Sequence, residues 1–441
     1  MTTEAPTSNR GKVFAWSMWD WGSAAFNAVI ITFVFSVYLV NAVGEDLPGR
    51  FTASTLLAWG LGFSGFIVLI TAPVFGRNAD ARGKRRRALI VSTLLVVVTM
   101  YALFFVKDSY QFFWLGVGLV GLGSLLFELA QIPYFSQLRQ VSTDETVGRV
   151  SGIGWAAGYV GGIFLLLISY YGFIAGEGET RGFFNVSTVD GFNIRMVALL
   201  SATWFLVFAL PLFFAVPEIE PDPEHSKDKE GIKAAYVGVF ADIKDIWQHD
   251  RETVNFLIAS AIFRDGLSGV FTFGAILAVS VFGIDEGQVL IFGVAANIIA
   301  AAGAYLAGFA DDFLGPKVVI VVSLTSMIAV GTVLLFVEGP KMFWIFGLML
   351  TAFVGPAQSA SRSFLTRMTA YGREGINFGM YAMTGRAVSF LAPTLFGVFV
   401  AVTGDDRYGI LGILLVLTAG LLLLLTIPGP NGKRAAEKTL S

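Results

Sequence analysis

The chain has 441 residues, of which 55% are hydrophobic and only 14% are charged. A soluble globular protein usually carries about 25% charged residues, because its surface must be hydrated. The net charge of −2 offers no basic surface to nucleic acid, and the lack of cysteine excludes disulfides, thiolate catalysis and thiolate metal sites. The two histidines, His225 and His249, lie in one polar stretch, so we expect neither a metal site nor a cofactor.

Long apolar segments predict a membrane protein. Residues 88–106, 318–337 and 410–427 contain no Asp, Glu, Lys or Arg. About 20 residues at a rise of ~1.5 Å cross a hydrocarbon core ~30 Å thick. No small-residue cleavage site follows the first apolar run, so we expect it to remain as a span. Apolar runs between Gly, Pro and charged breaks predict twelve helices, at 13–42, 54–76, 87–106, 110–138, 148–175, 194–216, 253–282, 287–310, 317–337, 341–369, 376–402 and 408–427.

The spans form two groups of six on either side of a polar segment. We expect 1–216 to be an N-terminal six-helix bundle, 217–252 a cytoplasmic linker, and 253–441 a C-terminal six-helix bundle with a short tail. An irregular linker is one interpretation of the polar segment. The other is an amphipathic helix on the membrane surface over 231–247, indicated by the helical spacing of Ile232, Tyr236, Val239, Phe240, Ile243 and Trp247.

The distribution of Lys and Arg predicts the orientation of the chain. If the N-terminus is inside, the outer loops hold only six of the 30 basic residues, namely Arg50, Lys107, Arg181, Arg195, Lys341 and Arg407. The outer loops are instead rich in Asp and Glu, such as Glu45, Asp46, Asp405 and Asp406. Because cytoplasmic loops carry the excess of Lys and Arg, we expect both termini to be cytoplasmic.

The two halves repeat each other in sequence. The loop after the second span reads Gly76-x-x-x-Asp80-x-x-Gly83-x-Arg85, and the loop after the eighth reads Gly308-x-x-x-Asp312-x-x-Gly315-x-Lys317, at an offset of 232 residues. A second correspondence, at an offset of 227, relates Gln131 to Gln358. Two six-helix bundles related by pseudo-two-fold symmetry, with a binding site between them near the bilayer midplane, are the expected fold.

The loop motif predicts a gate on the cytoplasmic side. Glycine lets the helix end turn close to a neighbour. The Asp80 carboxylate can accept hydrogen bonds from a helix N-terminus and from basic residues such as Arg82 and those at 84–87. We therefore expect an ion-pair latch that holds one state and opens in the other. The alternative is that these basic residues only set the topology.

Five ionisable residues stand out within the predicted spans, because an unpaired charge at bilayer depth costs roughly 2.5–3.5 kcal/mol. At ~1.5 Å per residue, Asp20 lies about 10 Å from the cytoplasmic end of its span, whereas Glu128, Asp265 and Arg386 lie about 15–18 Å deep. The five residues are Asp20, Glu128, Arg264, Asp265 and Arg386.

Because Arg264 and Asp265 point about 100° apart on a helix, each needs a partner elsewhere. We predict that Arg264 pairs with Asp20 or Glu128, and Asp265 with Arg386. The functional hypothesis is that Glu128 or Asp265 carries a coupling proton, while Arg264 or Arg386 holds an anionic group such as a substrate carboxylate. The alternative is that the pairs only hold the bundles together. Neutral side chains that could line the path are Asn27, Gln131, Tyr159, Gln358, Ser359 and Tyr381.

The repeated loop motif resembles the signature of the major facilitator superfamily. Within it, the segments at 14–26, 158–162, 263–266, 355–364 and 377–386 are similar to the vacuole-effluxer-like branch, although Ser23 and Arg264 depart from the branch's usual residues. The resemblance implies the twelve-helix fold and transport by alternating access. It also implies amino acids as the favoured cargo, since the well-known members of the branch export them from vacuoles.

The combined prediction is a proton-coupled secondary transporter for a small polar or zwitterionic solute, active as a monomer in a lipid bilayer. In a bacterium this would be the inner membrane. One alternative is an exporter of amphipathic or lipid-like compounds, and another is a receptor or scaffold that transports nothing. We do not expect an enzyme, because no phosphate-binding Gly-x-x-x-x-Gly-Lys-Ser/Thr loop or nucleophile turn is present.

Overall fold

The computed structural model describes residues 9–219 and 232–430. Within these ranges, twelve helices are long and apolar enough to cross a membrane, as the apolar runs predict. His225, Gly231 and the tail from 431 lie outside the described residues. We number the spans α1 to α12: Arg10–Val43, Ala53–Ala81, Arg85–Phe105, Tyr110–Val141, Val147–Ile174, Val189–Ala215, Arg251–Ser280, Glu286–Leu314, Pro316–Leu334, Pro340–Met368, Glu374–Thr403 and Asp406–Leu425.

The spans pack as two groups of six, which we call the N-terminal bundle (α1–α6) and the C-terminal bundle (α7–α12). In the first, α1 packs on α5 and α6, α2 on α4, and α3 on α4 and α6. In the second, α7 packs on α11 and α12, α8 on α10, and α9 on α10 and α12. Each pair in one bundle therefore has its counterpart in the other, as the sequence repeat predicts.

Several spans are irregular, and two of them break where a proline requires it. The α10 helix is interrupted at Ala352 and the α11 helix at Ser389, each four residues before a proline, Pro356 and Pro393. A proline ring clashes with the carbonyl four residues earlier and removes one helical hydrogen bond. In α1 the hydrogen bonds widen to a π-helix over Ala25–Phe33. Such interruptions persist in membranes where they line a cavity or are covered by protein.

The linker contains a helix at Ile232–His249, which we call the linker helix. It packs on α2 of one bundle and α7 of the other. Val239 and Ile246 are buried against the bundles, whereas Phe240 and Trp247 are exposed. The sequence analysis had placed Phe240 and Trp247 on one apolar face with Val239. The helix instead docks on the bundles through the face that carries Val239 and Ile246. A short β hairpin, Thr180–Arg181 with Val186–Ser187, lies between α5 and α6.

The two bundles meet on one side of the membrane, at the ends of the spans that carry the two loop motifs. We call this side the motif end. There α2 packs on α11, and α5 packs on α8 and α10. Glycines of both bundles face each other there: a methyl group at Gly76 would collide with the carbonyl of Gly375, and one at Gly308 would come 2.9 Å from the carbonyl of Gly148. Only glycine permits this separation, so the motif end is sealed by backbone against backbone.

Candidate functional site

The first loop motif ties the N-terminal bundle to the start of α11. Asp80 accepts a hydrogen bond from the backbone N–H of Ile376 at 3.0 Å and from Nε of Arg85 at 2.6 Å. The other side of the same guanidinium reaches Glu374 of the opposite bundle at 2.6 Å. Arg85 and Glu374 are about 2% and 1% exposed, so this pair is excluded from water. The predicted contact of Asp80 with a helix N-terminus is present.

Only one of the basic residues considered for Asp80 reaches it. Arg82, which the sequence offered as a partner, is exposed, and Arg85 takes that position. Gly83 turns the chain between α2 and α3 at a φ of 62°, a conformation that favours glycine. Arg139, at the end of α4, also approaches Glu374 at 3.5 Å.

The second motif makes the equivalent contact with α5. Asp312 accepts from the backbone N–H of Gly148 at 2.9 Å and from Nε of Arg149 at 3.1 Å. Its neighbour Asp311 is buried and pairs with Arg367 at 2.6 Å. Each motif aspartate therefore sits on the N-terminus of a helix in the other bundle, where the helix dipole favours a negative charge. This repeats the contact made by the first motif.

The last two positions of the second motif have other roles. Gly315 adopts a φ of 85° between α8 and α9. Lys317 donates to the carbonyls of Leu425 at 3.2 Å and Ile427 at 2.5 Å, at the end of α12. A cation there satisfies terminal carbonyls and the negative end of the helix dipole. Lys317 is thus a helix-capping residue within its own bundle, whereas Arg85, at the equivalent position, joins the bundles.

Halfway along the spans, a further ion pair crosses between the bundles. Arg386 of α11 pairs with Glu128 of α4. Arg386 lies twelve residues from the start of α11, roughly 18 Å along the helix axis. The two side chains are 32% and 23% exposed, so the pair is open to solvent on part of its surface. Our prediction that Arg386 pairs with Asp265 is wrong.

Asp265 instead supports the break in α11. Its carboxylate accepts a hydrogen bond from the backbone N–H of Ala392 at 2.6 Å, and its side chain is buried. Ala392 stands in the first turn after the break, where N–H groups have no acceptor within the helix. While the Asp265 carboxylate accepts this hydrogen bond, it is directed at the start of the helix after the break and not at Arg386.

Arg264 pairs with neither Asp20 nor Glu128, and with no other carboxylate among the described residues, so its predicted pairing is also wrong. Its Nη1 donates to the carbonyl of Tyr381 at 3.2 Å, and its Cζ lies 3.6 Å from the centroid of the Tyr381 ring. The helix carrying Arg264 packs on α11, which places the guanidinium over that ring. Glu128 is already paired with Arg386.

Asp20 pairs with an arginine that the sequence analysis did not select. Arg362 of α10 lies 3.4 Å from Asp20 and donates to the carbonyl of Ser151 at 2.7 Å and to its hydroxyl at 3.0 Å. The guanidinium is buried and lies 4.7 Å from the ring of Trp16 and 5.6 Å from that of Trp155. A C-terminal-bundle cation thus inserts into an aromatic site of the N-terminal bundle.

The neutral residues predicted to line the path lie in two environments. Some form a contact between the bundles, and others are at least partly exposed. Tyr159 donates to Gln358 at 2.9 Å, between the bundles. Asn27 is exposed and lies in the π-helical segment of α1. Gln131 is partly exposed. In the described part of the chain, the hydrogen bonds between bundles run from the motif end to about the depth of Tyr159 and Arg386.

The structure therefore has a closed motif end. We use the term central space for the region between the bundles beyond the Glu128–Arg386 pair, where the described residues form no hydrogen bond from one bundle to the other. Arg362 and Glu374 take part in the closure, whereas Asp311 forms its ion pair within the C-terminal bundle, and the sequence analysis missed all three. Arg362 was visible as a charge within a predicted span, at 341–369. Glu374 and Asp311 stand at span ends, where a charge is ordinary, so neither gave a signal.

Comparisons with known proteins identify the family of the chain and proteins that share its fold. The family model described as "Vacuole effluxer Atg22 like" matches residues 136–437. The chain is 23% identical over 416 residues to an uncharacterized MFS-type transporter, YxiO, of Bacillus subtilis (strain 168), with 94% of both chains covered. It is 25% identical over 310 residues to Autophagy-related protein 22 of Cryptococcus neoformans var. neoformans serotype D. That match covers 66% of this chain but 52% of the relative, so the chain spans about half the length of the fungal protein.

Among solved structures, the proton:xylose symporter XylE, of the major facilitator superfamily, matches with a TM-score of 0.73 at 14% identity. The match covers 95% of this chain and 96% of that one, which shows a shared fold. The family model spans well over half of the chain. The chain therefore belongs to the vacuole effluxer Atg22-like family and is an integral, multi-pass transporter of the major facilitator superfamily, not an enzyme.

Proposed function

We propose that the chain is a secondary active transporter that moves a small polar or zwitterionic solute, with amino acids the favoured class, in exchange for or together with a proton. The observation that carries the proposal is the Glu128–Arg386 pair. It joins the two bundles near the middle of the membrane and remains partly exposed to solvent. A residue in that position can exchange a proton with one side and influence how the bundles fit together.

The chemistry of the Glu128–Arg386 pair supports a coupling between proton binding and the packing of the two bundles. An ionised Glu128 is attracted to Arg386, whereas a protonated Glu128 is neutral and loses most of that attraction. Proton binding therefore weakens a contact between the bundles, and a change in their packing alters the proton affinity in return, because the two equilibria are linked. Asp265 is a weaker candidate, since it is buried and accepts a hydrogen bond from the backbone N–H of Ala392 within one bundle.

Flux measurements test the proposal. The native protein and its variants are reconstituted in proteoliposomes, and uptake of each common amino acid is measured with and without a pH gradient. We expect Glu128→Gln to transport without responding to the gradient, because its amide cannot bind a proton. Asp265→Asn serves as the control and should retain the response. If Glu128→Gln responds like the native protein, Glu128 is not the coupling residue.

We further propose that both termini face the cytoplasm, in the inner membrane if the source is bacterial. The supporting observation is the scarcity of Lys and Arg in the loops on the side opposite the motif end. In this orientation the structure is closed towards the cytoplasm. Labelling of a single cysteine in the 177–179 loop by an impermeant reagent on intact cells tests the orientation.

We also propose that the monomer is the transporting unit, because both bundles that enclose the central space belong to one chain.

A further inference from the structure

Arg264 of α7 carries a positive charge that no carboxylate among the described residues neutralises. Arg264 lies thirteen residues from the start of α7, roughly 20 Å along the axis and therefore near the middle of the span. Among the described residues, its hydrogen bonding is limited to Nη1, which donates to the Tyr381 carbonyl. A guanidinium has five N–H donors, so four remain without a protein acceptor.

The position of this guanidinium is fixed from two sides. Its flat face lies on the Tyr381 ring, at 3.6 Å from Cζ to the ring centroid. The Tyr381 hydroxyl is itself held by Ser361 at 2.8 Å in a buried contact. Beside it, a methyl group at Gly385 would come 2.9 Å from Nη2, so the glycine makes room for the group. Arg264 is thus held in place by stacking, and the donors on its edge are free.

The other arginines that face the space between the bundles already have acidic partners. Arg386 pairs with Glu128, and Arg362 pairs with Asp20. The acid next to Arg264 in sequence, Asp265, is directed at the Ala392 N–H instead. A charge inside a membrane protein normally faces a partner or a solvated cavity. The N–H groups that Arg264 does not use within the protein can therefore bind an acceptor from outside the chain.

We propose that Arg264 binds a carboxylate group of the transported solute. The inference rests on the function proposed above and narrows it to cargo that carries a carboxylate. The free edge of a guanidinium presents two parallel N–H donors that match the two oxygens of a carboxylate. Arg386 is left to its contact with Glu128, so substrate recognition and proton coupling are carried by different arginines.

The test compares acids with their amides. Uptake into proteoliposomes is measured for amino acids and for acetate, lactate and benzoate, each beside the corresponding amide. We expect the native protein to prefer the acid about tenfold or more, as loss of a charge-assisted hydrogen bond implies. Arg264→Gln should raise KM for the acids, remove the preference for acid over amide and keep the response to a pH gradient, since Glu128 is intact.

Two further variants support the comparison. Arg264→Lys keeps the charge but loses the planar fork, so its preference should fall between those of the native protein and Arg264→Gln. Arg50→Gln removes an exposed loop arginine and should change nothing. Size-exclusion chromatography and a thermal unfolding midpoint verify that each variant is folded; if Arg264→Gln is not, Arg264→Lys alone must show the reduced preference.

The outcomes separate this inference from the proposed function. The carboxylate assignment is overturned if amides are transported as readily as acids under a gradient. It is also overturned if both Arg264 variants keep the native preference for acids over amides. Either result leaves the transporter proposal standing. A native protein that moves neither acids nor amides overturns the carboxylate assignment, and the proposed function falls as well if no gradient-driven flux of any solute is found.

Discussion

Replacing Glu374 by Gln should open the motif end. Glu374 belongs to the C-terminal bundle, whereas its partners Arg85 and Arg139 belong to the other, so these contacts exist only while the bundles are closed. The Arg85–Glu374 distance is 2.6 Å, and both side chains are almost fully buried. Gln can still accept a hydrogen bond, but it carries no charge.

The expected size of the effect follows from this geometry. A hydrogen bond to a charged group contributes about 1.5–3 kcal/mol. Removing one partner of a buried pair can cost about 3–5 kcal/mol, but Asp80 remains beside Arg85, so the smaller range applies here. At about 1.4 kcal/mol for each factor of ten, the ratio of open to closed forms should rise about 10- to 150-fold.

Thiol labelling measures this ratio directly, because the native chain has no cysteine. Ser359 is 2% exposed, and its carbonyl accepts a hydrogen bond from Ser151 across the bundle interface. A single cysteine introduced as Ser359→Cys should therefore react with an impermeant maleimide mainly when the motif end opens. With Glu374→Gln added, we expect the labelling rate to rise at least about tenfold.

A matched control removes an acid from an exposed ion pair at the opposite end. Glu338 lies 3.9 Å from Arg407 and is 84% exposed, and pairs of this kind contribute little. Glu338→Gln should leave the labelling of Ser359→Cys unchanged. If Glu374→Gln also leaves it unchanged in a folded protein, the buried pair does not hold the motif end closed, and the reasoning is refuted.

Three further changes test other parts of the structure. Gly76→Ala places a methyl group against the backbone of α11 and should prevent full closure, raising the same labelling rate, whereas Gly118→Ala, which meets open space, should not; equal rates in the two would contradict the proposed glycine contact. Asp265→Ala removes the acceptor at the break in α11 and should cost about 1–2 kcal/mol in unfolding experiments, with Asp265→Asn recovering most of it. Ile246→Ala, at a buried position of the linker helix, should cost about 2 kcal/mol or more and increase proteolysis within 217–252, and unchanged proteolysis would show that the helix docks without this contact.

Several parts of the molecule followed from the sequence because they depend on local chemistry. A helix must be about 20 apolar residues long to satisfy its backbone in lipid, so the twelve spans could be found from composition alone. The repeated glycines and aspartates identified the motif end, since a close helix contact needs glycine and a helix N-terminus favours a carboxylate. The breaks in α10 and α11 also reflect a local cause, the prolines at 356 and 393.

The partners of the intramembrane charges were decided by the tertiary structure. A rise of ~1.5 Å per residue gives the depth of a side chain, but its direction depends on how each helix is rotated against its neighbours. Glu128 and Arg386 are 258 residues apart, and their pairing depends on the contact of α4 with α11. The same packing turned Asp265 towards a backbone N–H, placed Arg362 beside Asp20 and left Arg264 on a tyrosine ring. The sequence thus showed that charges such as Glu128 and Arg386 lie deep in the spans, because depth follows from the helical rise. Only the packing of the bundles determined what each charge contacts, including Arg362, which the sequence analysis did not select.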